Sequence, residues 1–155
     1  MIIKFKKLSE TAIIPTQAHT SDAGVDLYAN ESVVIPAGKS ASIGTGIAWD
    51  GNGCVFDTNS WEFYRLNTAY LVIQSRSGMA IKKGIECSNA GVIDQDYTGE
   101  IKLKLYNTTD KDFEVKVGDK VAQAIFGFKP RLEIQEVTEI KETERNDKGF
   151  GSSGF

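Results

Sequence analysis

The sequence predicts an all-β fold: a sandwich, barrel or jelly roll built as one domain. Three observations carry this. Apolar and polar residues alternate in many short runs, the period expected of half-buried strands. Clusters of Gly, Pro, Asn and Asp separate those runs at regular intervals. Only Arg76–Lys83 reads as helix, and it is short. A length of 155 residues fits a single domain able to bury its own core.

Taken in order, Ile2–Lys6 alternates and forms a first strand, and Thr16–Asp22 is polar and loop-like. Gly24–Ala29 alternates again. Val33–Ile35 runs into Pro36-Ala37-Gly38, a strong turn signal. Ala41–Trp49 reads as one strand loosened by Gly44 and Gly46, and Asp50-Gly51-Asn52-Gly53 as a turn after it. The segment 50–67 is an elaborated loop or an extra hairpin carrying Trp61, Phe63 and Tyr64. Ala69–Gln74 is a dense strand, followed by the short helix and by a strand at Ile85–Asn89. Further strands are expected at Ile101–Tyr106, Phe113–Val117, Val121–Phe128 and Leu132–Val137. Residues 141–155 lack periodicity and are rich in glycine, serine and charge, so they form a mobile arm. Residues 1–140 hold the domain.

Composition narrows function. Hydrophobic residues make up 41% of the chain, and no apolar run is long enough to span a membrane. Lysines interrupt the apolar residues at the N-terminus, unlike a signal peptide, so the expected location is the cytoplasm. Cys54 and Cys87 are far apart and make neither a disulfide framework nor a zinc knuckle. A single histidine, His19, excludes a histidine-rich metal centre. The formal net charge of −3 disfavours a polynucleotide backbone as ligand, but a small anion can still be met by locally converging cations.

Five stretches suit such chemistry. Ser75-Arg76-Ser77-Gly78 opens the helix, where free backbone N–H groups, a guanidinium fork and a hydroxyl can meet phosphate. An ordinary capped helix start with an exposed arginine fits the same tetrapeptide. Gly91-Val92-Ile93-Asp94-Gln95-Asp96-Tyr97 sets two carboxylates beside a ring, a place to activate water next to a flat substrate or simply a hairpin loop. Gln123 puts an amide on an apolar strand, where it needs a partner. Asp26 lies between Val25 and Leu27; it is either on the surface or inward and paired. Arg145, then Phe150, Gly151 and Ser152, give the arm a cation, a stacking ring and a hydroxyl, although a disordered terminus has similar composition.

Each signal is weak by itself. In this order they resemble the five motifs of the trimeric-type dUTP pyrophosphatase (dUTPase) family: Asp22–Asp26, Arg76–Gly78, Gly91–Tyr97, Gly118–Gln123 and Arg145–Gly154. The resemblance implies a distorted jelly roll of the β-clip type, a homotrimer with shared active sites, and Mg²⁺-dependent hydrolysis of dUTP to dUMP and pyrophosphate. It implies Asp94 as the base that activates water and Tyr97 as the ring packed on the deoxyribose. Arg76, Ser77, Gly78 and Gln123 would bind phosphates. Asn89 or its neighbour Ser88, with Gly91, Val92, Ile93 and Lys102, would read the uracil. Arg145, Phe150, Gly151 and Ser152 would close over the nucleotide, and Asp26 would act on the metal through water.

Departures from the family pattern are Asn146 and Lys148 in place of arm glycines, Ser75 in place of a common proline, and the long 50–67 connection. Two other readings share these residues. One is a dCTP deaminase-related enzyme of the same fold. The other is a nucleotide-gated interaction protein that docks a partner through residues 50–67.

Overall fold

The structure, a computed structural model, describes residues 2–55, 67–88, 91–143 and 146. Eleven strands and one helix are found among them. The strands are β1 (Ile2–Lys7), β2 (Gly24–Tyr28), β3 (Val33–Ile35), β4 (Ser40–Gly44), β5 (Ile47–Val55), β6 (Asn67–Gln74), β7 (Ile85–Ser88), β8 (Val92–Asp94), β9 (Lys102–Asn107), β10 (Phe113–Val115) and β11 (Lys120–Pro130). Helix α1 spans Ser77–Lys83. The strands form a four-stranded sheet ordered β2-β11-β6-β8, a three-stranded sheet β4-β9-β7, and two pairs, β1-β5 and β3-β10. All pairings are antiparallel. No helix among the described residues is long and apolar enough to cross a membrane.

The alternation read from the sequence becomes the two faces of each sheet. In β9, Leu103, Leu105 and Asn107 are buried while Lys102, Lys104 and Tyr106 are not. Leu27, Ile35, Ile43, Leu71, Ile85 and Trp49 join Leu103 and Leu105 in the core. Burying each such aliphatic side chain stabilises the fold by about 1.5–3 kcal/mol. Asn107 is the polar member of the buried face of β9, and its amide is satisfied at both ends. Its Nδ2 donates to the carbonyls of Ile35 (2.9 Å) and Lys111 (2.7 Å), and its Oδ1 accepts from the N–H (3.0 Å) and hydroxyl (2.8 Å) of Thr109.

Three expectations are corrected. Ala41–Trp49 is not one strand: it breaks at Thr45-Gly46, where the chain leaves the β4-β9-β7 sheet for the β1-β5 pair. Gly46 has φ +65°, and a Cβ there would stand 2.7 Å from Asn30 Cγ and 2.8 Å from Ala12 Cβ. Gly46→Ala should therefore lose about 2–4 kcal/mol, from left-handed backbone strain plus overpacking, read as a lower denaturant midpoint.

Asp50-Gly51-Asn52-Gly53 is not a hairpin turn but part of β5. Ile2 pairs with Val55 and Lys4 with Asp50, so residues 51–54 bulge opposite Ile3 alone. Leu132–Val137 forms no strand. Among the described residues no strand runs alongside to accept its hydrogen bonds, and Leu132, Ile134, Val137 and Ile140 are exposed, Ile134 to 93%. Residues 56–66, most of the 50–67 connection, lie outside the described residues.

Candidate active site

The predicted site residues gather in two places. The first is where β2, β11 and the start of α1 meet. Leu27 goes to the core, so Asp26 takes the opposite face of β2, and its side chain is nonetheless only 15% exposed. It is paired twice. Arg76 Nε donates to Oδ1 at 2.7 Å, and Lys120 Nζ reaches Oδ2 at 2.8 Å. A further guanidinium N–H of Arg76 donates to the Lys120 carbonyl at 3.2 Å. The Arg76 backbone is fixed independently, because its carbonyl accepts from the N–H groups of Met79 and Ala80 and Met79 is buried.

Gln123 has the partner its position demanded: Nε2 donates to the Ser75 carbonyl at 3.1 Å. A Cβ on Gly24 would approach Gln123 Oε1 to 3.1 Å, so glycine keeps that amide in place. Asp22, Gly24, Asp26, Arg76, Gly78 and Gln123 are among the residues lining a cavity of about 270 Å³, and Ser77 lines it too.

Arg76 and Lys120 together outweigh Asp26 in this cluster, which frees guanidinium N–H groups for an anion, while Asp22 adds a second carboxylate to the cavity lining. The hydrogen bond and charge of Asp26 hold the Lys120 ammonium above the usual lysine range. A raised lysine pKa stabilises the folded state fully below the ordinary value and loses that effect only as pH rises through the raised one. The Lys120 ammonium is therefore charged at neutral pH. At Gly78 a Cβ would meet nothing within 4 Å, so packing inside the chain does not require glycine there. The open space above it is the cavity, where a ligand can approach the backbone.

The second place is the turn after β8. Val92, Ile93, Asp94, Tyr97, Glu100 and Lys102 line a cavity of about 220 Å³. The turn closes by Tyr97 N–H donating to the Asp94 carbonyl at 3.2 Å, and the same carbonyl accepts from Trp49 Nε1 at 3.2 Å. The Tyr97 hydroxyl donates to the Glu100 carbonyl at 3.0 Å, and its ring lies where a Cβ on Gly99 would be, 2.7 Å from Cζ. Gly99 thus lets the ring fold back beside the slot, and Tyr97 stays 46% exposed. The Gly91 carbonyl accepts from Ile73 N–H at 2.7 Å, which ties the entry of the turn to β6.

Among the described residues the two cavities share no lining residue. Asp94 is opposite Tyr70 on β6, whereas Gln123 is opposite both Gln74 and Asp26. Four residues along β6 separate those levels by roughly 13 Å, and strand order adds to it. Asn89, Arg145, Phe150, Gly151 and Ser152 lie outside the described residues, as does Lys148. Asn146 is described: it has φ +44° and exchanges hydrogen bonds with Thr143, at 2.8 and 3.1 Å. The asparagine thus adopts a left-handed backbone, which Asn tolerates better than most residues.

Sequence reasoning missed Lys120, Gly99, Trp49 and Gln95 as site residues. Lys120 stood inside the Gly118–Gln123 stretch, and Gly99 inside the turn. The contacts of Trp49 and Gln95 had no local signal, because they cross from β5 to the turn.

A polar cradle with a guanidinium and backbone N–H groups, and a separate slot lined by an aspartate and an aromatic ring, on an all-β scaffold, define the class: a protein with room for a polar, ring-bearing ligand. The dUTPase family profile matches residues 62–154. The deoxyuridine 5'-triphosphate nucleotidohydrolase of Nautilia profundicola is 40% identical over 156 residues, covering 99% of both chains. That of Clostridioides difficile is 41% identical over 154 residues, covering 99% of this chain and 98% of its own. The dUTPase of Staphylococcus bacteriophage 80alpha with dUpNHpp superposes with a TM-score of 0.79 at 24% identity, covering 99% of both chains, and shows the shared fold. The chain belongs to the dUTPase family.

Proposed function

We infer that the chain hydrolyses dUTP to dUMP and pyrophosphate. The observation that carries this is the pair of complementary half-sites, phosphate-type on one side and base-and-sugar-type on the other, in a chain of this family. Asp94 takes a proton from water, the water oxygen attacks the α-phosphorus, and the bond to the bridging oxygen breaks to release pyrophosphate. Arg76, Ser77, Gly78 and Gln123 hold the phosphates. The Tyr97 ring packs on the deoxyribose and leaves no room for a 2′-hydroxyl. The backbone of Gly91–Ile93, with Asn89 and Lys102 beside it, reads the uracil edge.

Because the half-sites stand apart in one chain, the complete site forms between copies, in a homotrimer. The exposed alternation of Leu132 and Ile134 supports this, since such a segment pairs readily with a neighbour's strand. The 141–155 arm, with Arg145, Phe150, Gly151 and Ser152, closes over the bound nucleotide.

Among the described residues, no group of three His, Cys, Asp or Glu side chains gathers to hold a metal ion. Asp26 is already engaged by Arg76 and Lys120. A hydrated Mg²⁺ carried by the triphosphate would suit this donor set, with Asp26 the carboxylate that would meet it through water. Bound there, Mg²⁺ would neutralise phosphate charge.

The test is pyrophosphate release from dUTP, dTTP, dCTP and UTP in parallel, with the reaction run in ¹⁸O-water. We expect release from dUTP far above the others and the label in dUMP. Ammonia from dCTP, or label in pyrophosphate, would overturn the reading. Tyr97→Ala should raise turnover of UTP relative to dUTP by roughly 10-fold or more, as relief of one steric exclusion worth at least about 1.4 kcal/mol.

A further inference from the structure

We propose that Gln95 is a positioning residue for the Asp94 turn, and that the β5 bulge is the surface it is pinned to. The inference rests on the reading of Asp94 as the base. Gln95 follows Asp94 directly and uses both ends of its amide. Its Oε1 accepts the Ala69 N–H of β6 at 2.8 Å, and its Nε2 donates to Asn52 Oδ1 of the bulge at 2.8 Å. The first bond fixes the turn to the sheet on one side, and the second fixes it to β5 on the other.

Two more contacts make the bulge a fitted support. Trp49 Nε1, from the buried start of β5, donates to the Asp94 carbonyl itself. Gly51 is buried under the turn: a Cβ there would stand 2.5 Å from the Gln95 carbonyl oxygen and 2.8 Å from the Trp49 ring. Both neighbours are constrained, one as backbone and one as a core ring, so neither can retreat.

The glycine-and-asparagine composition that read as a hairpin turn is therefore explained by close approach. Gly51 admits the turn and Asn52 holds it. A carboxylate that must meet one water in line tolerates little displacement, and a misplacement of about 1 Å can cost roughly 100-fold in rate. Gln95 itself lines neither cavity, so its effect must pass through its neighbour Asp94.

The test measures kcat, KM and hydrogen exchange of the Trp49 indole N–H in the full chain. Gln95→Ala should lower kcat by roughly 30–100-fold with KM for dUTP within about threefold, and should speed the indole exchange. Asn52→Ala should show a smaller loss of the same kind. The double variant should be no slower than Gln95→Ala, because both act through one contact. Gln95→Glu should recover most of the turnover, since it still accepts from Ala69 N–H and the Asn52 amide can turn to donate to it. Adding Asn52→Asp to that variant sets carboxylate against carboxylate and should lose the recovery.

A kcat within twofold of the parent, a loss confined to KM, or fully multiplicative single effects would overturn the proposal. If Gln95→Ala fails to fold, the Gln95→Glu and Gln95→Glu/Asn52→Asp pair decides by the same criteria. Should Asp94→Asn retain activity, the base assignment fails, while the indole exchange still reports separately on whether Gln95 pins the turn.

Discussion

Asp94→Asn should reduce dUTP turnover by roughly 10²–10⁴-fold while leaving nucleotide binding in place, the loss expected when a positioned general base is removed. The two effects separate because Asp94 serves the fold and the chemistry with different atoms. Its carbonyl holds Trp49 and closes the turn to Tyr97, and its backbone pairs with Tyr70 in the β6-β8 register. The residue lines the slot, and its carboxylate carries the proposed chemistry. Asparagine keeps the backbone and nearly the same shape, so the turn, the Tyr97 ring and the slot persist. Only the basic oxygen is gone. Single-turnover kinetics beside titration with an imido analogue of dUTP would check this: kcat collapses, the dissociation constant holds and the melting temperature does not move. A variant that keeps its rate would show that another group activates the water.

The strands were legible because their alternation is local, and burial in β9 follows it residue for residue. The paired state of Asp26 was foreseeable in part. A carboxylate that leaves the surface must find cations, and Arg76 was already suspected of meeting anions. What the sequence did not display is contact between distant segments. Asn52 meets Gln95 across 43 positions, and a glycine needed for close approach has the same letter as one needed for a turn. The failure of Leu132–Val137 to form a strand has a related cause. Alternation marks a segment able to pair, but pairing needs a neighbour, and the described residues supply none.

Replacing Arg76 should be the second large effect, and it should appear in binding. The guanidinium has two tasks at once. Nε and one further N–H lock onto Asp26 and the Lys120 carbonyl, while the residue lines the cavity proposed to take the phosphates. Arg76→Ala removes charge-assisted hydrogen bonds worth about 1.5–3 kcal/mol each, so KM for dUTP should rise by at least roughly 10–150-fold. Arg76→Lys should recover little. A lysine ammonium is a point donor and cannot hold Asp26 and a phosphate oxygen in the fork geometry together. Lys120 remains to pair with Asp26 in either variant, which limits the loss of fold stability. Titrations with deoxyuridine, dUMP and the imido analogue distinguish a phosphate contact from general support of the fold. A phosphate contact makes the affinity loss grow with the number of phosphates. An equal loss for all three ligands would mean that Arg76 acts only by bracing β2 against the helix.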